Sequence, residues 1–254
     1  MHEWFNKDSI FWRLLSILIF FSAWEIAGRV PISPAFPTFI DTMEGLFRMI
    51  SDGSFFEKYM ITLKPLLVGV FITCFFGITF GVSMGLSDRI DWLGQPVFIV
   101  LQAAPVSALI PMITYVYGIG FTSKIIAVCI LAMPVVVLNS INAVRNANTS
   151  LIEMSRSFQG TRMQEVFKVI LPDASPMIFA GLRLGVAGGF VGIVLAELLI
   201  TPTGIGDLIS YHRSVANYAE MYATVLSIIL LAAATVRFFE RLEVRLFRPE
   251  KQGT

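Results

Sequence analysis

Long apolar stretches separated by short polar segments dominate this chain. Six of them approach the roughly 20 residues that an α-helix needs to cross about 30 Å of hydrocarbon. They cover residues 10–28, 63–86, 97–117, 125–139, 178–200 and 222–238. The fourth is short for a span, so we expect it to extend a few residues at its ends or to be pulled thin by its neighbours. The pattern predicts an all-α membrane protein with six transmembrane helices in one domain, residues 1–254.

A polar island interrupts the apolar pattern between the fourth and fifth stretches. Residues 149–172 read TSLIEMSRSFQGTRMQEVFKVILP, which predicts a helix, a turn and a second helix. Ser150 with Glu153, and Thr161 with Gln164, match the capping-box spacing. Gly160 between them suits a left-handed helix stop, and Pro172 is expected to close the unit.

Both predicted helices of this island are amphipathic. Apolar or small residues share one face of each: Leu151, Met154, Ser155 and Phe158 on the first, and Met163, Val166, Phe167 and Ile170 on the second. Such helices either lie on lipid headgroups or present a surface to a soluble partner. The residues alone leave both interpretations open.

Glycines recur in the second and fifth stretches at helical spacing. They are Gly77, Gly81 and Gly85 in the second, and Gly181, Gly185, Gly188, Gly189 and Gly192 in the fifth. Small residues let helix backbones approach closely where lipid gives no hydrophobic driving force. We therefore predict that these glycines are helix-packing positions and that the fifth helix is the most closely packed.

Three residues in the apolar stretches are candidates for a transport pathway. Pro105 and Pro111, in QAAPVSALIPM, should break regular backbone hydrogen bonding twice, and broken helices often line a pathway. Glu197 is an acid deep in the fifth stretch, which makes it a functional candidate. A solvated rim, or a hydrogen bond into the Thr201–Gly204 turn, explains Glu197 equally well. Arg183 either meets the acidic groups of the 149–172 loop or extends its charged end toward water.

Composition and charge placement support the membrane assignment. The chain is 56% hydrophobic and 15% charged, and its net charge of +1 gives no reason to expect a nucleic-acid partner. With the N-terminus inside, six of the nineteen Lys and Arg fall outside: Arg29, Arg48, Lys58, Lys64, Lys124 and Arg213. The others, including Arg237, Arg248 and Lys251 of the basic tail, fall inside. The positive-inside rule then places both termini and the 149–172 loop in the cytoplasm.

Several chemistries lack their sequence signatures in this chain. There is no phosphate-binding G-x-x-x-x-G-K-[ST] motif, so energy must come from another subunit or transport is passive. We find no catalytic Ser/His/Asp set and no Cys/His metal spacing, and Cys74 and Cys129 both fall in predicted spans. An enzyme is poorly supported. A secondary carrier or channel, which needs no ATPase partner, is one function that these observations leave open.

The polar island resembles the EAA loop of permease subunits of bacterial ABC importers. The residues that carry this resemblance are Glu153-Met154-Ser155, Gly160 and Ile170-Leu171-Pro172. Ser155 stands where the family usually has a second Ala, and Gln159 stands where it usually has Gly. The segments SPAFPT at 33–38, PVSALIP at 105–111, and Ala196-Glu197 followed by Gly204-Ile205-Gly206 are similar to permeases for nitrate, sulfonates and taurine.

The resemblance implies a function and a set of partners. The implied protein is an inner-membrane permease that moves a small solute, nitrate-, sulfonate- or taurine-like or a small aromatic, by alternating access. Two ATPase subunits would carry ATP and Mg²⁺ and dock on the loop, leaving no cofactor in this chain. A second permease chain, expected to be identical, and an external solute-binding protein would complete the assembly. The implied coupling residues are Glu153, Met154, Ser155, Arg156, Gly160, Ile170, Leu171 and Pro172.

Overall fold

A computed structural model of the chain describes residues 2–30, 33, 35–200 and 202–247, without the side chains of residues 2–10, 13 and 54. Within this part the chain is helical and has no β-strand, which confirms the all-α prediction. The predictions above also involve Pro34, Thr201, Arg248 and Lys251, which lie outside the described residues.

The helices are α1 (His2–Arg29), α2 (Phe39–Ser51), α3 (Ser54–Leu86), α4 (Asp88–Ala103), α5 (Val106–Tyr117), α6 (Phe121–Arg145), α7 (Thr149–Ser157), α8 (Arg162–Glu165), α9 (Leu171–Leu199), α10 (Ile205–Ser214) and α11 (Tyr218–Phe247), with a π-helical turn at Val166–Ile170.

Four helical segments of the described residues are long and apolar enough to cross a membrane, or five if a bent pair counts as one. They contain the second, fourth, fifth and sixth predicted spans, and α4 with α5 forms the bent pair. The fourth span extends at both ends, as expected, because α6 has 25 residues. The first predicted span falls in α1. The count of six spans and the single domain stay predictions.

The third predicted span is bent and not straight. The axes of α4 and α5 differ by 103°, and the break falls at Ala104–Pro105. Ala104 has an extended backbone, with ψ of 139°, because a following proline disfavours the α conformation. At Pro111 the helix α5 continues, so the proline there removes one backbone hydrogen bond without ending the helix. Proline is tolerated inside membrane helices where other groups satisfy the freed backbone carbonyl.

The centre of the fold is α6, which packs between α3 and α9. Gly77, Gly81 and Gly85 of α3 face Val136, Ser140 and Val144 of α6, in that order along the two helices. A Cβ added at Gly81 would lie 2.4 Å from the Ser140 Cβ. This glycine ridge therefore brings the α3 backbone directly against the side chains of α6.

Helix α9 also packs closely against α6 through its glycines. The predicted glycines of α9 lie against α6: Gly181 at Asn139, Gly185 at Val136, Gly188 at Leu131, Gly189 at Val128 and Gly192 at Ala127. The backbone carbonyl of Ala127 lies 2.7 Å from the Cβ position of Gly192. Backbone and side chains of two helices interdigitate here without room for a methyl group.

The polar island begins at a different cap from the one that its sequence suggests. Asn148 caps α7, and its side-chain oxygen accepts a hydrogen bond from the Ser150 amide at 3.0 Å. Because α7 already begins at Thr149, Ser150 lies inside the helix and the predicted Ser150–Glu153 box is wrong. The second predicted box is confirmed, since Thr161 and Gln164 exchange side-chain-to-backbone bonds at the start of α8.

The turn after α7 places its left-handed residue at Gln159, with φ of 56°, and not at Gly160. The Gly160 amide donates to the Ser155 carbonyl, and the Gln159 amide to the Arg156 carbonyl, the two bonds of a Schellman motif. Gly160 is needed for a different reason. A Cβ there would lie 2.7 Å from the Ser155 Oγ.

The prediction that Pro172 closes the island is also wrong, because one continuous helical segment runs from Arg162 to Leu199. Pro172 lies in the first turn of α9, directly after the π-helical turn in which the Leu171 amide donates to the Val166 carbonyl. The helix therefore continues through the proline at a point where its regular hydrogen-bond pattern already changes. The second arm of the 149–172 loop and the fifth span form one continuous helical segment, Arg162–Leu199.

We predict that Gly185→Leu prevents the assembly of the α6–α9 pair. An added Cβ would lie 2.4 Å from Val136 Cγ2, and overpacking of this kind costs about 3 kcal/mol. Gly189→Leu should be milder, since its Cβ position is 3.3 Å from Val128 Cγ1. Val191→Leu, at an exposed position of α9, is the control. A normal yield of monodisperse protein carrying Gly185→Leu would contradict this packing.

We predict that Gln159→Gly stabilises the chain by about 1 kcal/mol, because glycine removes the cost of a left-handed backbone. For a chain of this size the melting temperature should rise by roughly 2–4 °C. Ser157→Gly, in the last turn of α7, is the control and should destabilise by about the same amount. Equal melting temperatures for Gln159→Gly and the parent chain would count against a strained turn.

Candidate functional site

The turn between α7 and α8 presents a cluster of exposed apolar side chains. Phe158 is 81% exposed, Met163 70%, Phe167 61% and Met154 51%. They come from the two predicted amphipathic faces, but the second face divides. Ile170 is buried against α6 and the start of α9, with Val166 packed on the same core. We call Met154, Phe158, Met163 and Phe167 the apolar tip.

Residues 149–172 form a helical hairpin whose first arm is α7 and whose second arm begins with α8. Glu165 joins the two arms. Its side chain is only 5% exposed and accepts hydrogen bonds from Arg156 Nε at 3.1 Å and from Arg162 at 2.5 Å. The hydrogen bond and the negative charge of Glu165 raise the pKa of the Arg156 guanidinium, which stays charged. Sequence reasoning missed Glu165, although its position nine residues after Arg156, across the turn, was a usable signal.

A second contact fixes the hairpin to the membrane part of the chain. The Asn148 amide donates to Asp173 Oδ2 at 2.7 Å, which joins the start of α7 to the start of α9. With Ile170 in the core and Glu165 between two arginines, the hairpin is fixed at its base and across its arms. The apolar tip is therefore presented on a rigid support.

The residues of the EAA-like motif divide into two groups. Glu153, Met154, Arg156 and Pro172 are exposed, whereas Ser155, Gly160 and Leu171 are half-buried and Ile170 is buried. Ser155 and Gly160 shape the turn, and Ile170 anchors it. The exposed members remain available to a partner.

A buried ion pair at the opposite end of the bundle is the second notable constellation. Lys124 Nζ of α6 lies 2.6 Å from Glu197 Oε1 of α9, with side-chain exposures of 3% and 0%. The Thr62 hydroxyl of α3 lies within 3.0 Å of both Glu197 oxygens, and the Gly206 amide of α10 donates to Oε2 at 3.0 Å. Four helices therefore meet at one carboxylate, which we call the Glu197 anchor.

Lys124, one of the charges that the sequence places outside, lies in the first turn of α6, which begins at Phe121. Its pairing with Glu197 was not predicted. Glu197 is buried and not at a solvated rim, and its bond passes the predicted Thr201–Gly204 turn and reaches the Gly206 amide of α10. The signal that was missed is that Lys124 and Glu197 lie at the matching ends of neighbouring apolar stretches.

Arg183 also differs from its expected environment. Its guanidinium lies 3.5 Å from Glu243 and 3.9 Å from Glu240, both on α11, and not against the acidic groups of the loop. Glu243 is largely buried, with 11% of its side chain exposed. The pair therefore joins α9 to the last turns of α11.

The three pathway candidates do not form one site. Pro105 and Pro111 are exposed on α5, while the neighbouring Ile110 is buried with Ala127 and Ala196. Glu197 lies within the bundle and is saturated by its bonds. In the part of the chain that the structure describes, no group of three His, Cys, Asp or Glu side chains could hold a metal ion.

Comparison with known proteins gives this arrangement a family. Residues 74–248 match the model described as binding-protein-dependent transport system inner membrane component. The chain is 26% identical to the putative aliphatic sulfonates transport permease protein SsuC of Bacillus subtilis (strain 168), over 92% of this chain and 86% of the relative. It is 29% identical to the taurine transport system permease protein TauC of Escherichia coli (strain K12), over 73% of this chain and 70% of the relative.

A solved structure supports the same fold. A chain of an amino acid ABC transporter matches with a TM-score of 0.63 and 18% identity, over 80% of this chain and 97% of that chain. The resemblance inferred from the EAA-like motif is confirmed. Because the family model covers more than half of its length, the chain belongs to the inner membrane components of binding-protein-dependent transport systems and is a multi-pass permease subunit of an ABC importer.

Proposed function

We propose that this permease moves a small solute inward by alternating access, driven by two separate ATPase subunits that dock on the 149–172 loops of two permease chains. The observation that carries the proposal is the apolar tip, held out by the Glu165 bridge. The cores of protein interfaces are enriched in aromatic residues and Met, and the rim around them is polar. Phe158 and its neighbours supply such a centre, and Glu153, Arg156 and Arg162 supply the rim.

A protein partner fits this surface better than a lipid surface does. Interfacial helices lie flat and present one continuous apolar stripe along their length. Here an exposed apolar face follows α7 but does not continue along the second arm, because Ile170 is buried in the core and Val166 packs against it. A projecting tip of this kind suits a socket on a folded subunit.

The proposed topology places both termini and the loop in the cytoplasm, following the positive-inside rule. Helices α2 and α10 then lie on the outer side, where an external solute-binding protein delivers its cargo. ATP and Mg²⁺ belong to the ATPase subunits, and this chain contributes no cofactor and no catalytic residue. Movement of the loop by the ATPases biases the permease pair between outward and inward openings.

We propose that the solute is a small sulfonate-like compound, after the named activities of the two relatives. Lys124 is buried and Arg183 is half-buried, and each faces a carboxylate, so neither offers an unpaired charge to an anion. Specificity therefore rests mainly with the external binding protein, and the permease lets the solute pass without holding it.

We predict that Phe158→Ala weakens ATPase docking at least tenfold, because it removes the most exposed apolar side chain of the tip. Glu153→Ala, at the charged rim, should weaken docking less and act mainly on the association rate. Affinity of the detergent-purified permease for its ATPase subunit, and ATP-driven uptake in vesicles, measure both effects.

Asn148→Ala provides the matched control for these two variants. It removes the actual cap of α7, at a cost of about 1 kcal/mol, and leaves the apolar tip and Glu153 in place. Its melting temperature should fall while ATPase affinity changes little. Full affinity and full uptake in Phe158→Ala would rule out docking through the tip.

We predict that taurine and short alkylsulfonates bind the permease alone with dissociation constants in the millimolar range or weaker, since the buried cations are neutralised. Equilibrium binding to the purified chain, without the external protein, measures this directly. Micromolar affinity for one of these anions would overturn the assignment of specificity to the binding protein.

A further inference from the structure

The Glu197 anchor joins more elements than an ion pair between two helices requires. Its carboxylate contacts α3 through Thr62, α6 through Lys124 and α10 through the Gly206 amide. The Ile205 amide also donates to the Thr62 hydroxyl at 2.9 Å, and Lys124 Nζ lies 3.4 Å from the Thr203 carbonyl. The start of α10 and the turn before it are therefore bonded to Glu197, Thr62 and Lys124, the three side chains of the anchor.

The turn before α10 is shaped around this carboxylate. Gly204 has φ of 84°, and a Cβ there would lie 2.2 Å from Glu197 Oε1. A Cβ at Gly206 would lie 2.4 Å from the Glu197 Cβ. Glycine at both positions lets the backbone close over the acid and excludes water, which strengthens each electrostatic interaction inside.

The Glu197 anchor lies near the C-terminal end of α9, and the 149–172 loop lies at the other end of the same helical segment. The continuous helical segment Arg162–Leu199 has 38 residues, which corresponds to roughly 57 Å at the α-helical rise. Near its first residues, Glu165 binds Arg156 and Arg162 of the hairpin. Near its last residues, Glu197 binds Lys124, Thr62 and the start of α10.

We propose that Lys124 and Glu197 are positioning residues that make α10 move with α9, so that displacement of the coupling loop reaches the far end of the bundle. This inference rests on the proposed function for its driving force, the ATPases that move the loop. In this inference the buried charges of Lys124 and Glu197 transmit movement between the two ends of α9 and do not bind solute. In the proposed topology α10 lies on the outer side, so the anchor also passes contact with the external binding protein back to the loop.

The ionic character of the anchor suits this role. Removing one partner of a buried pair leaves an uncompensated charge, whereas removing both together is often tolerated. The double variant Lys124→Met/Glu197→Gln therefore keeps the volumes, removes the ion pair and turns the charge-assisted bonds from Gly206 and Thr62 into weaker neutral ones. The control is Lys58→Met/Asp207→Asn, which breaks a 2.7 Å ion pair that also joins α3 to α10 but is 25–31% exposed.

The first measurement is solute transported per ATP hydrolysed by the full assembly of permeases, ATPases and binding protein in vesicles. We expect the Lys124→Met/Glu197→Gln assembly to hydrolyse ATP but to transport at least tenfold less per ATP. Thr62→Val, which removes only the hydroxyl, should reduce the ratio about threefold. The Lys58→Met/Asp207→Asn control should stay within twofold of the parent. A ratio within twofold of the parent in the double variant would overturn the proposal.

The second measurement needs no ATPase. Amide hydrogen exchange of the purified permease reports whether the segment 203–209 is held by the anchor, and we expect at least tenfold faster exchange there in Lys124→Met/Glu197→Gln and in Thr62→Val. Unchanged exchange in both the double variant and Thr62→Val would refute the structural role of the Glu197 anchor, whether or not the chain drives ATP-dependent uptake. Absence of uptake by the parent assembly would instead refute the proposed function and leave the exchange result to decide the anchor.

Discussion

The fold depends on the close approach of three helix backbones, which glycine makes sterically possible. In a bilayer, apolar side chains gain little by leaving lipid, so helix association relies on van der Waals contact and on the few polar bonds between helices. Both neighbours of α6 achieve this contact through glycines, which have no side chain. Gly81 of α3 lies against Ser140 of α6, and Gly192 of α9 lies against Ala127 of α6. A backbone so close to its neighbour has few ways to rotate or tilt alone, so α3, α6 and α9 act as one packed unit.

The polar contacts then decide what is attached to that unit. At one end, Asp173 and Glu165 fix the hairpin, and at the other Glu197 fixes α10. Removing a carboxylate from water is costly, and the cost is offset only where several donors satisfy it. Glu197 meets this condition with an ammonium, a hydroxyl and a backbone amide. Buried charge therefore occurs where elements must keep a fixed relative position.

Much of this arrangement could be predicted from the sequence, and the failures have physical causes. Local patterns succeeded where neighbours along the chain decide the outcome, as in the Thr161–Gln164 box. The prediction that Pro172 ends the helix failed because the effect of this proline depends on a preceding π-helical turn, which has no sequence signature. The burial and pairing of Lys124 were not predicted because its partner, Glu197, is 73 residues away in the sequence. A hydropathy rule treats each charge as solvated, and only the packing of α6 on α9 reveals that this one is paired.

The same reasoning explains why the EAA-like motif mixes exposed and buried residues. In the proposed complex, a docking surface on a loose loop would absorb any displacement in its own backbone. Ile170 in the core and Glu165 between two arginines remove that freedom, and the helix passes through Pro172 into α9 without a joint. In the proposed complex, a force applied at Phe158 reaches α9 and, through the close contacts at Gly185 and Gly192, α6 as well. The loop then moves together with the packed unit of α3, α6 and α9, as a rigid-body rearrangement of the kind by which two-state proteins switch.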